Sequence, residues 1–416
     1  MEELKNRAVV VAIAERSSDV PECEISLNEL ERLLDTAGAV ACARVIQIKD
    51  TYDPRTIIGS GKVKEIKELC DNNQIGLVVF DVELSPMQIR NLEDDLDGPE
   101  VIDRSMLILD IFALHATTAE GKLQVELSQL KYTSPRLIGK GAALSRQGGG
   151  VGTRGPGETK LEIDRRHLHT KIAALEEKLR ALEHNRSIMR AQRDRSGLPK
   201  ISVVGYTNAG KSTLLNRLTG ADVLAEDKLF ATLDPTTRKL VLPCGETVLI
   251  TDTVGFIRNL PHHLIKAFKS TLDEVRYADI LIIVSDVTDP EVKDHLDITE
   301  GLIEELGAAD KPRIYVYNKA DMVDGAMYAV PKERCVFISA KEDKNIDELL
   351  NIIEDTVHEG KMDVKLLVPY NEQSIVSSLY NKVTVVSVDY AEKGIYVVAT
   401  LGPVERGMYG KYIVTE

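Results

Sequence analysis

Cysteine is scarce in this sequence, and what there is does not pair. Cys23, Cys42, Cys70, Cys244 and Cys335 are odd in number, widely scattered and without a C-x-x-C motif. That pattern argues against a disulfide framework or a cysteine-rich zinc site and suits thiols kept reduced. Long apolar runs are missing too. The opening stretch "MEELKNRAVVVAIAER" has a charged head, but its apolar core is too short for a signal peptide or a membrane span. The expectation is a cytoplasmic chain without a membrane span, with peripheral membrane association of part of the population left open. An overall excess of positive charge is also lacking: 52 Lys and Arg stand against 66 Asp and Glu over 416 residues. No global basic field draws the molecule to nucleic acid.

The average hides an asymmetry. From Arg136 to Lys200 there are 15 basic and 7 acidic side chains, a local balance of +8 that leaves the rest of the chain at −22. A basic segment on an acidic body suggests one element dedicated to an anionic partner. Before it, "RAVVVAIA", "GAVACARVIQI", "IGLVVFDV" and "SMLILDIFAL" read as strands, and "SLNELERLLDTAG" and "GKVKEIKELCDNN" as helices, predicting an α/β domain over residues 1–116.

The period then changes. "TTAE" at Thr117–Glu120 reads as a capping box, followed by Leu123, Leu127 and Leu130. A second box, "TKLE" at Thr159–Glu162, opens a heptad register through Leu161, Leu168, Ile172, Leu175, Leu179, Leu182 and Met189. Two such helices predict an antiparallel hairpin over 117–197, its heptad stripe sealing the intramolecular pair and favouring a monomer. Eight of the 28 glycines lie between Gly139 and Gly157, at the hairpin tip. Alternating strands and helices resume over 198–360, and a small α+β module of strand, helix and hairpin follows over 361–416. The fold class is thus α/β: a P-loop domain behind an α/β domain with a long helical hairpin, with a C-terminal α+β module.

The P-loop assignment rests on "GYTNAGKST", which spans Gly205, Tyr206, Thr207, Asn208, Ala209, Gly210, Lys211, Ser212 and Thr213. It follows an apolar strand and opens a helix, the context the motif requires. Backbone N–H groups there can close around phosphates at a helix N-terminus. Lys211 would neutralise β- and γ-phosphate charge, and the Ser212 hydroxyl would ligate Mg²⁺. "DTVG" places Asp252 near the metal and the Gly255 N–H near the γ-phosphate. "NKAD" supplies Asn318, Lys319 and Asp321, whose carboxylate can accept from guanine N1–H and its amine, a pairing adenine lacks. "SAK", Ser339, Ala340 and Lys341, closes the base pocket. All lie at strand ends on one edge of a parallel sheet. The ligand so specified is GTP or GDP.

Between the first two motifs lies "LFATLDPTTR", which carries Phe230 at its start and a threonine expected to reach Mg²⁺ when a γ-phosphate is present. Thr232 is the preferred residue, with Thr236 and Thr237 as rivals. Catalysis is accordingly assigned to Lys211, Thr232 and Gly255, and metal binding to Ser212, Thr232 and Asp252. Phe256 follows "DTVG" where many GTPases place a water-orienting glutamine, so intrinsic hydrolysis should be slow. Asn208 raises K⁺ as a candidate second cation. "IIGSGKVKEI" near Gly59, with Gly61 and Lys62, is a weak phosphate-loop match that reads as a plain helix start.

The stretch "RQGGGVGTRGPGETKLEIDRR" is rich in glycine yet lacks Gly-Lys-Ser/Thr. Taken with the four GTP motifs, "LFATLDPTTR" and "DTVGFIRNLPHHLIKAFKSTLDEV", it makes residues 1–360 resemble the HflX family of translation-related GTPases. The resemblance implies binding to the large (50S) ribosomal subunit and dissociation of stalled or idle ribosomes, with GTP hydrolysis stimulated by the ribosome. It also implies that the hairpin tip approaches ribosomal RNA. Arg146, Arg154, Lys160, Arg165 and Arg166 fit that role through phosphate pairing and stacking, and Gly148, Gly149 and Gly150 permit close backbone approach. The alternative is a GTP-dependent switch acting on a protein partner. An ATP-driven RNA remodeller is disfavoured, because the first domain has no second P-loop lysine with an acidic metal pair.

Overall fold

A computed structural model describes residues 7–144, 160–195, 198–220, 229–230, 232–259, 261, 269–323, 332–359 and 361–414. The first sheet contains β1 (Arg7–Ala14), β2 (Val40–Ile48), β3 (Leu77–Phe80) and β4 (Glu100–Asp103) in the order β2-β1-β3-β4. All three pairings are parallel. Seven of the eight residues of β1 are buried, which is why its sequence is a continuous apolar run rather than an alternation. Its helices are α1 (Val20–Thr36), α2 (Ser60–Asn73), α3 (Pro86–Leu96) and α4 (Arg104–His115).

The last of these corrects the sequence reading. "SMLILDIFAL", expected as a strand, is the body of α4. Asp103 caps it by accepting from the Met106 N–H at 3.0 Å, and Leu107, Ile108, Leu109, Ile111 and Phe112 are all buried. A helix enclosed on nearly every side has no polar face, so periodicity could not separate it from a buried strand. The true fourth strand is the short "EVID" before it. The Gly59 region is a helix start as read: Gly59 is the N-cap of α2, and the Gln47 side chain accepts from its N–H at 2.9 Å.

Helices α5 (Ala119–Leu144) and α6 (Lys160–Arg195) pack together as a hairpin. Glu120 pairs with Arg186 at 2.9 Å and Lys131 with Glu176 at 2.7 Å, in the opposed order of antiparallel helices, and Glu126 pairs with Lys171 at 2.7 Å. Leu175 and Leu179 of the heptad stripe are buried, as is Val125 opposite. The first cap differs in detail. Thr118, not Thr117, caps α5, accepting from the Gly121 N–H at 2.9 Å. Glu120 serves Arg186 instead of closing a box. The second box begins at Thr159, outside the described residues.

The second sheet has six strands: β5 (Lys200–Gly205), β6 (Thr236–Val241), β7 (Thr247–Asp252), β8 (Ile280–Asp286), β9 (Arg313–Asn318) and β10 (Cys335–Phe337). Their order is β10-β9-β8-β5-β7-β6, parallel except for β6 against β7. Chain order reverses on either side of β5, so the crevice past its carboxyl end is the topological switch point. Helices α7 (Lys211–Thr219), α8 (Lys269–Tyr277), α9 (Val292–Glu305) and α10 (Ile346–His358) accompany it. The last module has β11 (Met362–Val368), α11 (Ser374–Lys382), β12 (Thr384–Ala391), β13 (Gly394–Leu401) and α12 (Pro403–Tyr409), its antiparallel strands ordered β11-β13-β12. Gly394 takes φ +144 where a Cβ would lie 2.7 Å from the Val368 carbonyl, so the close pass of β11 requires glycine.

One apolar cluster runs across the first two sheets. It joins Leu107, Phe112 and Val125 to Val204, Leu229, Phe230 and Phe256. The P-loop domain is therefore seated on the α/β domain through a shared core. No described helix is long and apolar enough to cross a membrane.

Candidate nucleotide site

The loop between β5 and α7 is built around backbone that only glycine permits. A Cβ on Gly205 would lie 2.1 Å from the Val284 carbonyl, and one on Gly210 would lie 2.3 Å from Asn318 Nδ2. Both residues have positive φ, as does Asn208 at 62°. Lys211 lies beneath this loop, 6% exposed, and donates to the Tyr206 carbonyl at 2.7 Å. Burial lowers its pKa to about 8, against the opposing pull of Asp252. Gly255 lies so close that a Cβ there would stand 2.9 Å from Lys211 Nζ. A glycine at this point leaves room above the amine for an anion.

The three residues assigned to the metal converge. Ser212 Oγ donates to Asp252 Oδ2 at 2.6 Å and lies 2.7 Å from Thr232 Oγ1. The rival threonines lie elsewhere: Thr236 and Thr237 are in β6, where Thr237 Oγ1 is 2.9 Å from Thr251 Oγ1. Asp252 is fully buried, and its Oδ1 has no hydrogen-bond partner. Burial pushes its carboxyl up, while Lys211 and the Ser212 hydroxyl pull it down. A buried carboxylate with a bare oxygen beside two hydroxyls is a hard-oxygen donor set, and it fits Mg²⁺.

Asn318 ties the base end to the phosphate end. Its Nδ2 donates to the Ala209 carbonyl at 2.9 Å, and its Oδ1 accepts from the Ala340 N–H at 3.0 Å. Lys319, at φ 65°, extends to Asp286 at 2.6 Å. Asp321 is the middle residue of the 3-10 turn after β9, and a hydrogen bond from Ser339 holds its carboxyl below the ordinary value. The Ser339 hydroxyl also accepts from the Glu342 N–H at 3.0 Å, while Lys341 is exposed. Thr213 follows Ser212 in the first turn of α7.

Two aromatic residues point away from this crevice. Phe230, expected at the nucleotide, instead has a buried side chain that meets the Phe112 ring edge-on at 4.7 Å. Phe256 is also buried, and its backbone joins the P-loop through Thr207 N–H to Phe256 O at 2.8 Å. Neither can orient a water. Of the expected RNA contacts, Arg165 and Arg166 are exposed on α6, and Lys160 is its first residue. Arg146, Gly148, Gly149, Gly150 and Arg154 lie outside the described residues.

Sequence reasoning passed over the polar groups that clasp this site from the first domain. Arg104 is 2% exposed and donates to Asp81 at 2.7 Å, to Glu29, and to the Arg258 carbonyl at 3.0 Å. Glu29 in turn accepts from the Tyr206 hydroxyl, which accepts from the Arg258 N–H at 2.7 Å. The Tyr206 ring stacks on His295 at 3.7 Å. A single arginine at the head of a largely apolar helix was the available signal. Among the described residues, Cys244, Glu246 and His358 also gather, but at the opposite end of β7, where His358 and Lys361 already pair Glu246.

Comparison with known proteins agrees with this geometry. Residues 24–113 match a family described as GTP-binding GTPase N-terminal, and residues 115–193 match GTP-binding GTPase Middle Region. Residues 200–319 match a 50S ribosome-binding GTPase family. GTPase HflX of Caldanaerobacter subterraneus subsp. tengcongensis is 51% identical over 404 residues, covering 96% of this chain and 92% of its own. GTPase HflX of Escherichia coli K12 is 42% identical over 360 residues, covering 85% and 84%. A crystal structure of SsGBP with GDP is 25% identical, covers 85% of this chain and 99% of its own, and has a TM-score of 0.46. The chain binds and hydrolyses GTP, and it belongs to the HflX family of GTPases.

Proposed function

We propose that this GTPase binds the large ribosomal subunit and uses its helical hairpin to dissociate stalled or idle ribosomes into subunits, with hydrolysis stimulated by the ribosome. The observation that carries the reading is the near-full-length match to HflX GTPases in a chain whose hairpin presents Arg165 and Arg166 to solvent. The basic segment around the tip supplies the phosphate-facing charge that the acidic body lacks.

In the nucleotide site, backbone N–H groups from Asn208 to Thr213 would receive the phosphates, and Lys211 would pair with β- and γ-oxygens. Ser212, Thr232 and Asp252 are the residues that would hold Mg²⁺. When bound, the ion neutralises charge developing between the β- and γ-phosphates. Asp321 would accept from the guanine N1–H and amine, with the Ala340 N–H available to the base. The Gly255 N–H would face the γ-phosphate. Phe256 offers no proton acceptor where many GTPases place a water-orienting glutamine, which makes a ribosomal contribution to turnover the natural complement. Asn208 would be the contact for a K⁺ ion standing in for an arginine finger. We further propose that the protein acts as a monomer.

Deleting Gly148 to Gly157 tests the role of the tip. Intrinsic GTP hydrolysis should stay within about twofold, while stimulation by purified 50S subunits is lost. Equal loss of both would make the segment a folding element instead.

A further inference from the structure

The four residues from Thr232 to Pro235 connect the metal end of the site to the first turn of the hairpin. Asp234 Oδ2 accepts from the Thr117 N–H at 3.0 Å, the Thr117 hydroxyl at 2.8 Å and the Thr118 N–H at 2.8 Å. Its Oδ1 accepts from the Thr118 hydroxyl at 2.5 Å. That hydroxyl is the N-cap of α5 through the Gly121 N–H. One carboxylate thus takes four hydrogen bonds at a helix N-terminus, where its charge is also favoured by the peptide dipoles. Gly121 fits the same arrangement. A Cβ there would lie 2.6 Å from Asp234 Oδ1, although alanine suits a helix better than glycine.

The link is short and stiff. Leu233 between Thr232 and Asp234 is 2% exposed, and Pro235 restricts the backbone of Asp234 to extended conformations. Further along α5, Tyr132 donates to Asp103, which ties the helix to the first domain at a second point.

We propose that Asp234 is a positioning residue that couples the nucleotide state sensed at Thr232 to the N-terminus of the hairpin helix α5. The inference rests on reading Thr232 as the residue that engages the metal only with a γ-phosphate present. It requires no ribosome and concerns how the chain communicates within itself. With a triphosphate the Asp234 clasp is closed and the first turn of α5 is ordered. After hydrolysis Thr232 is released, the clasp loosens, and the hairpin changes its set relative to the P-loop domain.

The test is amide hydrogen exchange over residues 117–122 in the full-length protein, with Mg²⁺ and either GDP or a non-hydrolysable GTP analogue. In the unsubstituted protein, exchange should be at least about tenfold slower with the analogue. Asp234→Ala and Gly121→Ala, which break the clasp from opposite sides, should each reduce that difference to under about twofold while leaving GDP affinity within threefold. Asp234→Asn, which keeps an oxygen acceptor but loses the charge, should give an intermediate value and serves if the alanine variant is unstable. Full nucleotide dependence persisting in both Asp234→Ala and Gly121→Ala overturns the proposal, as does its absence in the unsubstituted protein. Dependence that survives Thr232→Ala but not Asp234→Ala keeps the clasp and removes Thr232 as the sensor.

Discussion

Lys211 is buried beside a carbonyl and a buried carboxylate, so a phosphate in the crevice would be its principal charge partner. Lys211→Ala should lower kcat/KM for GTP by 10³-fold or more, roughly 4 kcal/mol of transition-state stabilisation. Steady-state phosphate release checks this, and unaltered turnover would locate the chemistry elsewhere. At the base end, Asp321→Asn should exchange guanine for xanthine preference, a discrimination on the order of 10⁴-fold because the site's polar groups are otherwise left unpaired. Competition between GTP and xanthosine triphosphate reads it directly. These residues were legible in the sequence because each motif fixes spacing within a few positions. Phe230 shows where that legibility ends. Its motif marks a segment near the nucleotide, but which way a ring turns depends on Phe112, more than a hundred residues away.

At the scale of elements, the packing of α4 against α5 contains a titrating group. Burial pushes the Asp110 carboxyl up to about 6, against the lowering effect of the hydrogen bond from Gln129 at 3.0 Å. A carboxyl whose folded pKa lies above its unfolded value favours folding most at low pH, and the advantage is lost as pH rises toward 6. Asp110→Asn, which keeps the acceptor for Gln129, should therefore stabilise the protein at pH 7.5 by on the order of 1–3 kcal/mol and make no difference below about pH 4. Urea unfolding at the two pH values measures it, and an equal effect at both would remove the titration from the account. The same helix explains why element type was harder to read than motif. Strands β1, β5 and β8 announce themselves as apolar runs before a turn, and α4 presents the same run because it is enclosed on nearly every side. The hairpin was legible because its heptad stripe faces a single partner.

For the whole molecule, the seat between the α/β domain and the P-loop domain depends on Arg104. Its guanidinium joins Glu29, Asp81 and the Arg258 carbonyl in a buried network. Arg104→Ala would leave two carboxylates buried without their cation and should cost about 3–5 kcal/mol. Arg217→Ala, which removes an exposed pair with Asp343, should cost under about 1 kcal/mol. Denaturant midpoints of the two variants compare them, and equal effects would mean the network does not hold the domains. Apart from the single arginine that heads α4, this was not readable from the sequence, since Glu29, Arg104 and Arg258 come together only through the fold.

The charge asymmetry belongs to this scale as well. A basic hairpin on an acidic body should give ribosome binding that weakens steeply with salt, with a log–log slope close to 0.7–0.9 per neutralised phosphate. The most direct test of the central claim is sedimentation of intact ribosomes through a gradient with the purified protein and GTP, GDP or a non-hydrolysable GTP analogue. The account predicts conversion to subunits with GTP or its analogue but not with GDP, and protein travelling with the large subunit. Intact ribosomes in every nucleotide state, with no protein travelling with them, would contradict it.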